Sequence, residues 1–407
     1  MNKDHLSKIC LYIWLIIWPW QTKLILRSSG SAYLEISLFL SLVILLISLI
    51  AWGFKEKTNI YLWLVSLISC LSIFWAEDKT LAIYRCLILI LGILLFGIIK
   101  RLDLLRIKLV IRYFLIGLIA PAFLAIWQFF TQSTVATKYF GLAYHSAAVL
   151  GDAVIETGTG RYLRAYGPFD HPNILGGVMV LGIILVLYSS LKDKLDIRGR
   201  IFYLVSLAIF YLALLVSFSR TAILALLISL PFIFIKFWPS GRTQKKLIIL
   251  FSILIIGISA AVIIPNRDLF FTRVKTENRL EQKSISEREL YLEQAKEVIK
   301  AKPFLGTGIG NYVLELSELF PGQPSWYYQP VHNYWLLVWA ELGIIGLLSL
   351  IGFWLYLFKV SCKNGFWPLM TALFIFSLFD HWLWTQPLEL LIFFLMASLI
   401  AGTKKQA

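Results

Sequence analysis

Apolar residues fall into twelve blocks, each closed by polar residues: 9–20, 34–54, 60–75, 80–99, 109–131, 173–190, 201–218, 221–238, 247–264, 334–358, 366–383 and 387–402. Most approach the roughly 20 helical residues that cross a hydrocarbon core. The pattern predicts an all-α fold, a polytopic transmembrane bundle of about twelve spans. The first block is short enough to tilt or to lie partly in the interface. No small-residue cleavage site follows it, so it reads as a span rather than a cleaved signal peptide. Inner connections are short, and two outer ones are long, 133–172 and 265–333. In the second, Ser286-Glu-Arg-Glu289 fits a capping box. Leu290, Tyr291, Ala295, Val298 and Ile299 then recur at helical spacing up to Pro303, predicting an amphipathic helix on the membrane surface or over a cavity. No repeat period is evident, so one membrane domain over 1–407 with an outward cap is expected.

Composition agrees with this pattern. Of 407 residues, 59% are hydrophobic and 15% charged, with mean hydropathy +0.78. With the amino terminus placed inside, the inner segments carry twenty Lys and Arg against five Asp and Glu, an excess equal to the whole net charge of +15. The outer loops each sum to zero, with three bases and three acids in 133–172 and nine of each in 265–333. That is the positive-inside distribution, which puts both termini in the cytoplasm. The basic residues are topological, and a nucleic-acid partner is not needed to explain a pI of 9.6. The cysteines, Cys10, Cys70, Cys86 and Cys362, lie outside the long outer loops, so no disulfide framework is expected, and no His/Cys cluster suggests a metal site.

Polar residues at the outer ends of apolar blocks are costly and therefore mark a candidate site. They are Arg164-Ala-Tyr-Gly-Pro-Phe-Asp-His-Pro-Asn173, Ser217-Phe-Ser-Arg220, Arg288, Pro303-Phe-Leu-Gly306-x-Gly308-x-Gly310-Asn311, and His332-Asn333 leading to Glu341-x-Gly343-x-x-Gly346. In order and spacing, from about 160 to 350, these resemble the O-antigen ligase and O-antigen polymerase superfamily of membrane glycosyltransferases. The resemblance implies a glycan donor on a polyprenyl (undecaprenyl) diphosphate carrier. It further implies a hydroxyl acceptor on the outer face of the cytoplasmic membrane, inversion at the anomeric carbon, and no required metal or cofactor. It also implies that His332 is the general base.

The chemistry of such a transfer fits these residue types. A departing diphosphate gathers negative charge, which guanidinium groups bind bidentately without a metal. Arg220 and Arg288 are the first candidates, with Arg164 and Arg161 behind them. By position alone Arg220 reads equally as a boundary residue snorkelling to headgroups, and Arg288 as part of a solvated helix face. Imidazole is the suitable base near neutral pH, and His332 sits at the membrane mouth of the larger loop. A helix cap is its plainer reading. His171 reads as a helix entry with Pro172 in the first turn; His145 and His381 are weaker candidates. Asn173, Asn333, Gly308 and Gly310 are expected to bind substrate, the glycines as a backbone nest for phosphate. A plain turn explains the glycines equally. Glu341, well inside its span, is expected to pair with Arg85 or an outer arginine and orient it. Trp326-Tyr-Tyr328 reads as an interface run.

The expected activity is glycan transfer to a lipid core, with a polysaccharide polymerase or a protein O-oligosaccharyltransferase as alternatives. The competing class is a transporter for a small solute or bicarbonate, which predicts broken, paired spans with charges near the midplane. Here the charges gather at the outer boundary. Expected partners are the lipid-linked donor, a lipid, glycan or protein hydroxyl, and membrane lipids.

Overall fold

The computed structural model describes residues 3–28, 31–52, 59–274 and 279–402. Of the inner-loop bases, Lys55, Lys57, Lys404 and Lys405 lie outside them. Every apolar block contains a helix: α1 (Lys3–Ile17), α2 (Leu40–Trp52), α3 (Ile60–Ser72), α4 (Lys79–Lys100), α5 (Leu104–Thr131), α6 (Pro172–Lys192), α7 (Ile197–Ser217), α8 (Arg220–Phe237) and α9 (Arg242–Ile263). The larger loop holds α10 (Arg267–Val274), α11 (Arg279–Ala301) and α12 (Tyr312–Leu319). Then come α13 (Tyr334–Asn364), α14 (Trp367–Phe379), the single turn α15 (Trp382–Thr385) and α16 (Pro387–Ala401). Seven of these are long and apolar enough to cross a membrane, with shorter apolar helices beside them. The protein is a helical polytopic membrane protein.

Two antiparallel hairpins were not anticipated. Lys23–Arg27 (β1) pairs with Ile36–Phe39 (β2), and Val154–Thr157 (β3) with Gly160–Leu163 (β4). The block read as a span from 34 thus opens as a strand and turns helical only at Leu40.

Helix α6 is the axis of the bundle. It is apolar all round, as a helix enclosed by others must be, and its apolar window is wholly buried. At the rim α9 has only 11% of its window buried, leaving its sides for lipid. Helix α6 starts where Pro172 fixes the first helical φ and His171 caps it, Nδ1 accepting from the Asn173 amide at 3.1 Å. Pro172 stands in the first turn as expected, whereas the cap is His171 rather than the flanking Asp170 or Asn173.

Helix α13 is broken at Gly343, whose φ of 66° and ψ of −175° leave the helical region. The loop after α11 fills the break. The amides of Thr307 and Gly308 donate to the carbonyls of Ala340 and Glu341, both at 2.9 Å, and the Ile344 amide donates to Pro303 at 3.0 Å. Non-helical backbone at this depth persists only when its polar groups are satisfied in this way. A Cβ on Gly343 would stand 2.0 Å from the Phe304 carbonyl oxygen. Gly343→Ala should therefore lower the thermal midpoint of the detergent-purified protein, by at least ~1–3 kcal/mol of strain at the positive φ alone.

Candidate active site

The site is built where the caps of α6, α8 and α13 meet the larger loop. Arg220 opens α8 behind Ser219, whose hydroxyl caps the Ala222 amide. Its guanidinium reaches Glu281 at 3.0 Å and donates to the Arg273 carbonyl at 3.3 Å. Glu281 is almost fully buried on α11 and also binds Arg273, which donates further to the Phe218 carbonyl at 3.4 Å. Arg220 is thus fixed by a carboxylate and a carbonyl rather than snorkelling.

Arg288 lies two turns along α11 from Glu281 and within electrostatic reach of Asp380, Arg220 and Glu281. Burial pushes the Arg288 guanidinium below its usual range, as it does for Arg273. Both groups stay protonated, since arginine does not titrate near neutrality. Arg164 is buried, pushed down first by burial and then by the nearby Arg273 charge. Four arginines, 164, 220, 273 and 288, therefore converge around two carboxylates, Glu281 and Asp380. The balance is an excess of positive charge beneath a partly enclosed surface, the electrostatics of an anion site.

The histidine side adjoins this cluster. His332 lies in the short link before α13, half-buried, with Nδ1 3.5 Å from Asp380 Oδ1. Asp380 follows α14 and is buried. Its Oδ2 accepts from Asn173 Nδ2 at 3.3 Å, and Asn173 Oδ1 accepts from Arg164 Nη2 at 2.8 Å. Arg164 Nε in turn donates to the Ser217 carbonyl at 2.9 Å. A continuous polar chain thus runs from the end of α7 through Arg164, Asn173 and Asp380 to His332. The His381 ring lies 5.0 Å from that of His332, centroid to centroid, and its Nδ1 meets Thr385 Oγ1 at 2.8 Å. His332, Asp380 and His381 offer ligand atoms that all lie within 4.8 Å of one another, a grouping able to hold a metal ion. Asp380 and His381 are adjacent, but His332 lies in a distant segment, so sequence spacing does not announce the cluster.

His171 belongs to this neighbourhood but is held neutral. Burial first, then the Arg164 charge, lower its pKa to about 3. Its Nδ1 is occupied by the cap, so its role is structural. His145 is stacked on Tyr166 with centroids 3.9 Å apart and pairs with Asp152 at 2.7 Å, apart from His332 and Asp380.

Other candidates are placed differently from expectation. Arg161 faces Glu156 across the β3–β4 hairpin at 3.4 Å, not the arginine cluster. Asn333 caps α13, its Oδ1 accepting from the Leu336 amide at 3.0 Å, while its Nδ2 donates to the Leu378 carbonyl at 3.1 Å. With donor and acceptor engaged, it serves the fold. Gly308 and Gly310 are packing glycines: added Cβ atoms would stand 2.7 Å from Ala76 Cβ and 2.6 Å from Arg85 Cγ. Their positive φ values, 96° and 76°, let the loop enter the α13 break. The capping box is not formed either. Ser286 lies inside α11, and its hydroxyl donates back to Lys283 at 2.9 Å.

Glu341 and Arg85 share a cavity with Tyr33, Gly310, Tyr312 and Trp384 but form no ion pair there among the described residues. Glu341 accepts from Trp384 Nε1 at 2.8 Å, whereas Arg85 donates to the carbonyls of Thr385 and, at 2.9 Å, Tyr33. The expected pair is therefore electrostatic only: the two charges attract across the cavity while each takes its hydrogen bonds from other groups.

Asp380, Arg273 and Glu281 were missed. Asp380 carried a signal, an acid beside a histidine at the edge of an apolar block. Arg273 and Glu281 sit in a loop of mixed charge, where nothing local separates them from their neighbours.

An arginine cluster beside an imidazole–carboxylate pair, at the loop end of a helical bundle, defines the class as a polytopic membrane protein with a cationic site. Residues 203–351, from α7 through the break in α13, match the family model described as O-Antigen ligase. Over 251 residues the chain is 26% identical to a general O-oligosaccharyltransferase of Acinetobacter baylyi, a match covering 59% of this chain and 43% of that protein. The match thus spans less than half the length of that relative. Both likenesses support a place in the O-antigen ligase superfamily, with the family match confined to residues 203–351.

Proposed function

We propose that this protein is a metal-independent glycosyltransferase that moves a glycan from a polyprenyl (undecaprenyl) diphosphate to a hydroxyl acceptor, on the outer face of the cytoplasmic membrane with both termini inside. The observation that carries the reading is the meeting of Arg220, Arg288, Arg273 and Arg164 with the His332–Asp380 pair. The acceptor hydroxyl attacks the anomeric carbon and gives its proton to His332, while the carbon–oxygen bond to the diphosphate breaks. The electron pair leaves with the diphosphate, and Arg220 and Arg288 hold its oxygens. Carbon is attacked opposite the leaving group, so its configuration inverts. The leaving group needs no acid, because guanidinium groups already offset its charge.

Asp380 positions the base. The Asp380 carboxylate charge, 3.5 Å from His332 Nδ1 and without a formed hydrogen bond, favours the proton on that nitrogen, so Nε2 keeps the lone pair for the incoming proton. Asn173 and Arg164 hold Asp380 in place, so they serve the base and not, as expected, the substrate directly. Asp380→Asn should lower kcat by about 10²-fold or more with the donor KM little changed, because the wrong tautomer is then favoured. Steady-state kinetics in detergent checks this.

Among acceptors, a lipid core is favoured by the long larger loop and by the ligase description of the matching domain. A protein acceptor is the second reading, supported by the name of the Acinetobacter relative. The test is transfer by the purified protein from a polyprenyl-diphosphate glycan, with lipid-core, glycan and protein acceptors in parallel. Product on the lipid core alone supports ligation, and product on none overturns the transferase reading.

A further inference from the structure

We propose that His332, Asp380 and His381 form a binding site for a divalent transition-metal ion of the zinc type, and that its occupancy inhibits transfer. The inhibition, though not the site, rests on His332 being the base.

Three observations point to a ligand here. The first is spacing. Tetrahedral zinc holds nitrogen and oxygen ligands about 2.0–2.2 Å away, which puts neighbouring ligand atoms roughly 3.4 Å apart. His332 Nδ1 and Asp380 Oδ1 are 3.5 Å apart, long for a hydrogen bond and right for two ligands of one ion. The second is an unpaired atom: His332 Nδ1 is buried and has no hydrogen-bond partner. Among the described residues, the Asp380 carboxylate and His381 are the metal-ligating groups beside it.

The third is outer support of the kind metal ligands require. The Thr385 hydroxyl donates to the His381 carbonyl at 3.4 Å, so toward the ring it accepts, and His381 Nδ1 carries the proton at 2.8 Å. That leaves Nε2 of His381 as a free lone pair. Asp380 Oδ2 is held by Asn173, while Oδ1 accepts from the His381 amide at 2.8 Å and keeps a second lone pair for the ion. Two imidazoles and one carboxylate suit zinc far better than magnesium, which prefers an all-oxygen shell. A fourth position stays open toward the half-exposed side of His332.

Inhibition follows from proton bookkeeping on one ring. In the active form Nδ1 bears the proton and Nε2 is the base. A metal ion on Nδ1 takes that nitrogen's lone pair, so the ring's single proton passes through solvent to Nε2 and the ring stays neutral. The base then has no lone pair to offer the acceptor.

The experiment uses full-length protein in detergent, titrated with ZnCl2 by calorimetry and assayed for transfer at the same zinc concentrations. His381→Gln removes a ligand, and Thr385→Val removes only the group that orients it. One zinc should bind per wild-type protein and suppress transfer. Affinity should fall at least about 100-fold in His381→Gln and about 10-fold in Thr385→Val, with zinc-free transfer retained in both and no longer suppressed at the wild-type inhibitory concentration. No stoichiometric binding, or equal binding in both variants, overturns the site. Binding that is lost in the variants yet leaves wild-type transfer unchanged upholds the site, overturns the inhibition and removes His332 as the base. Should His381→Gln fail to fold, Thr385→Val decides alone.

Discussion

His332→Ala is expected to lower transfer by about 10²- to 10⁴-fold, the range of a positioned general base, while the protein still inserts and folds. The side chain is half-exposed, and its Nδ1 has no hydrogen bond to lose. Truncation therefore removes the ring's contacts with His381 and Tyr291 and leaves the Asn333 cap of α13 intact. Donor binding should be nearly unchanged, because the diphosphate is assigned to the arginines. Near-wild-type product from purified His332→Ala would remove it as base. His171 cannot replace it, since burial and Arg164 keep its pKa at about 3 and its free nitrogen is spent on the cap.

Arg220→Lys keeps the charge and loses the fork. Arg220 meets both Glu281 and the Arg273 carbonyl through Nη1, so the guanidinium plane is held from one end. A lysine ammonium offers a point charge with no planar geometry. We expect kcat/KM for the donor to fall about 10²- to 10³-fold, comparable to removing one preorganised oxyanion donor. Unchanged kinetics would return Arg220 to a structural role. The companion variant Glu281→Gln separates the effects: it leaves both arginines in place and releases their clamp.

Long-range hydrophobic length made the bundle legible. Twelve apolar blocks became helices because a block near membrane thickness has few other solutions. Short elements were not legible for the same reason. Ile36–Phe39 is apolar and runs into α2 without a break, and four residues cannot separate period 2 from period 3.6. Ser286 fits a capping box by type, but the helix opens by Arg279, so position within the helix defeated the motif.

The site divides along similar lines. Arg220, Arg164 and His332 betrayed themselves as polar residues at apolar boundaries, and the structure brings them together with Arg288. Glycines 308 and 310 did not, because a phosphate nest and a tightly packed turn both demand positive φ. Only the neighbours, Ala76 and Arg85, decide for packing. Glu341 and Arg85 are both intramembrane charges, which suggested a pair; the indole of Trp384 and the carbonyls of Tyr33 and Thr385 satisfy them instead. The broken span, one mark of a transporter, is present in α13, but its own loop closes it.

The most direct measurement is a cryo-EM structure of the His332→Ala protein bound to a polyprenyl diphosphate. The account predicts diphosphate oxygens within hydrogen-bonding distance of the Arg220 and Arg288 guanidinium groups, beside the space vacated by the imidazole. A diphosphate bound elsewhere, such as the Arg85–Glu341 cavity, with Arg220 still turned wholly to Glu281, would contradict it.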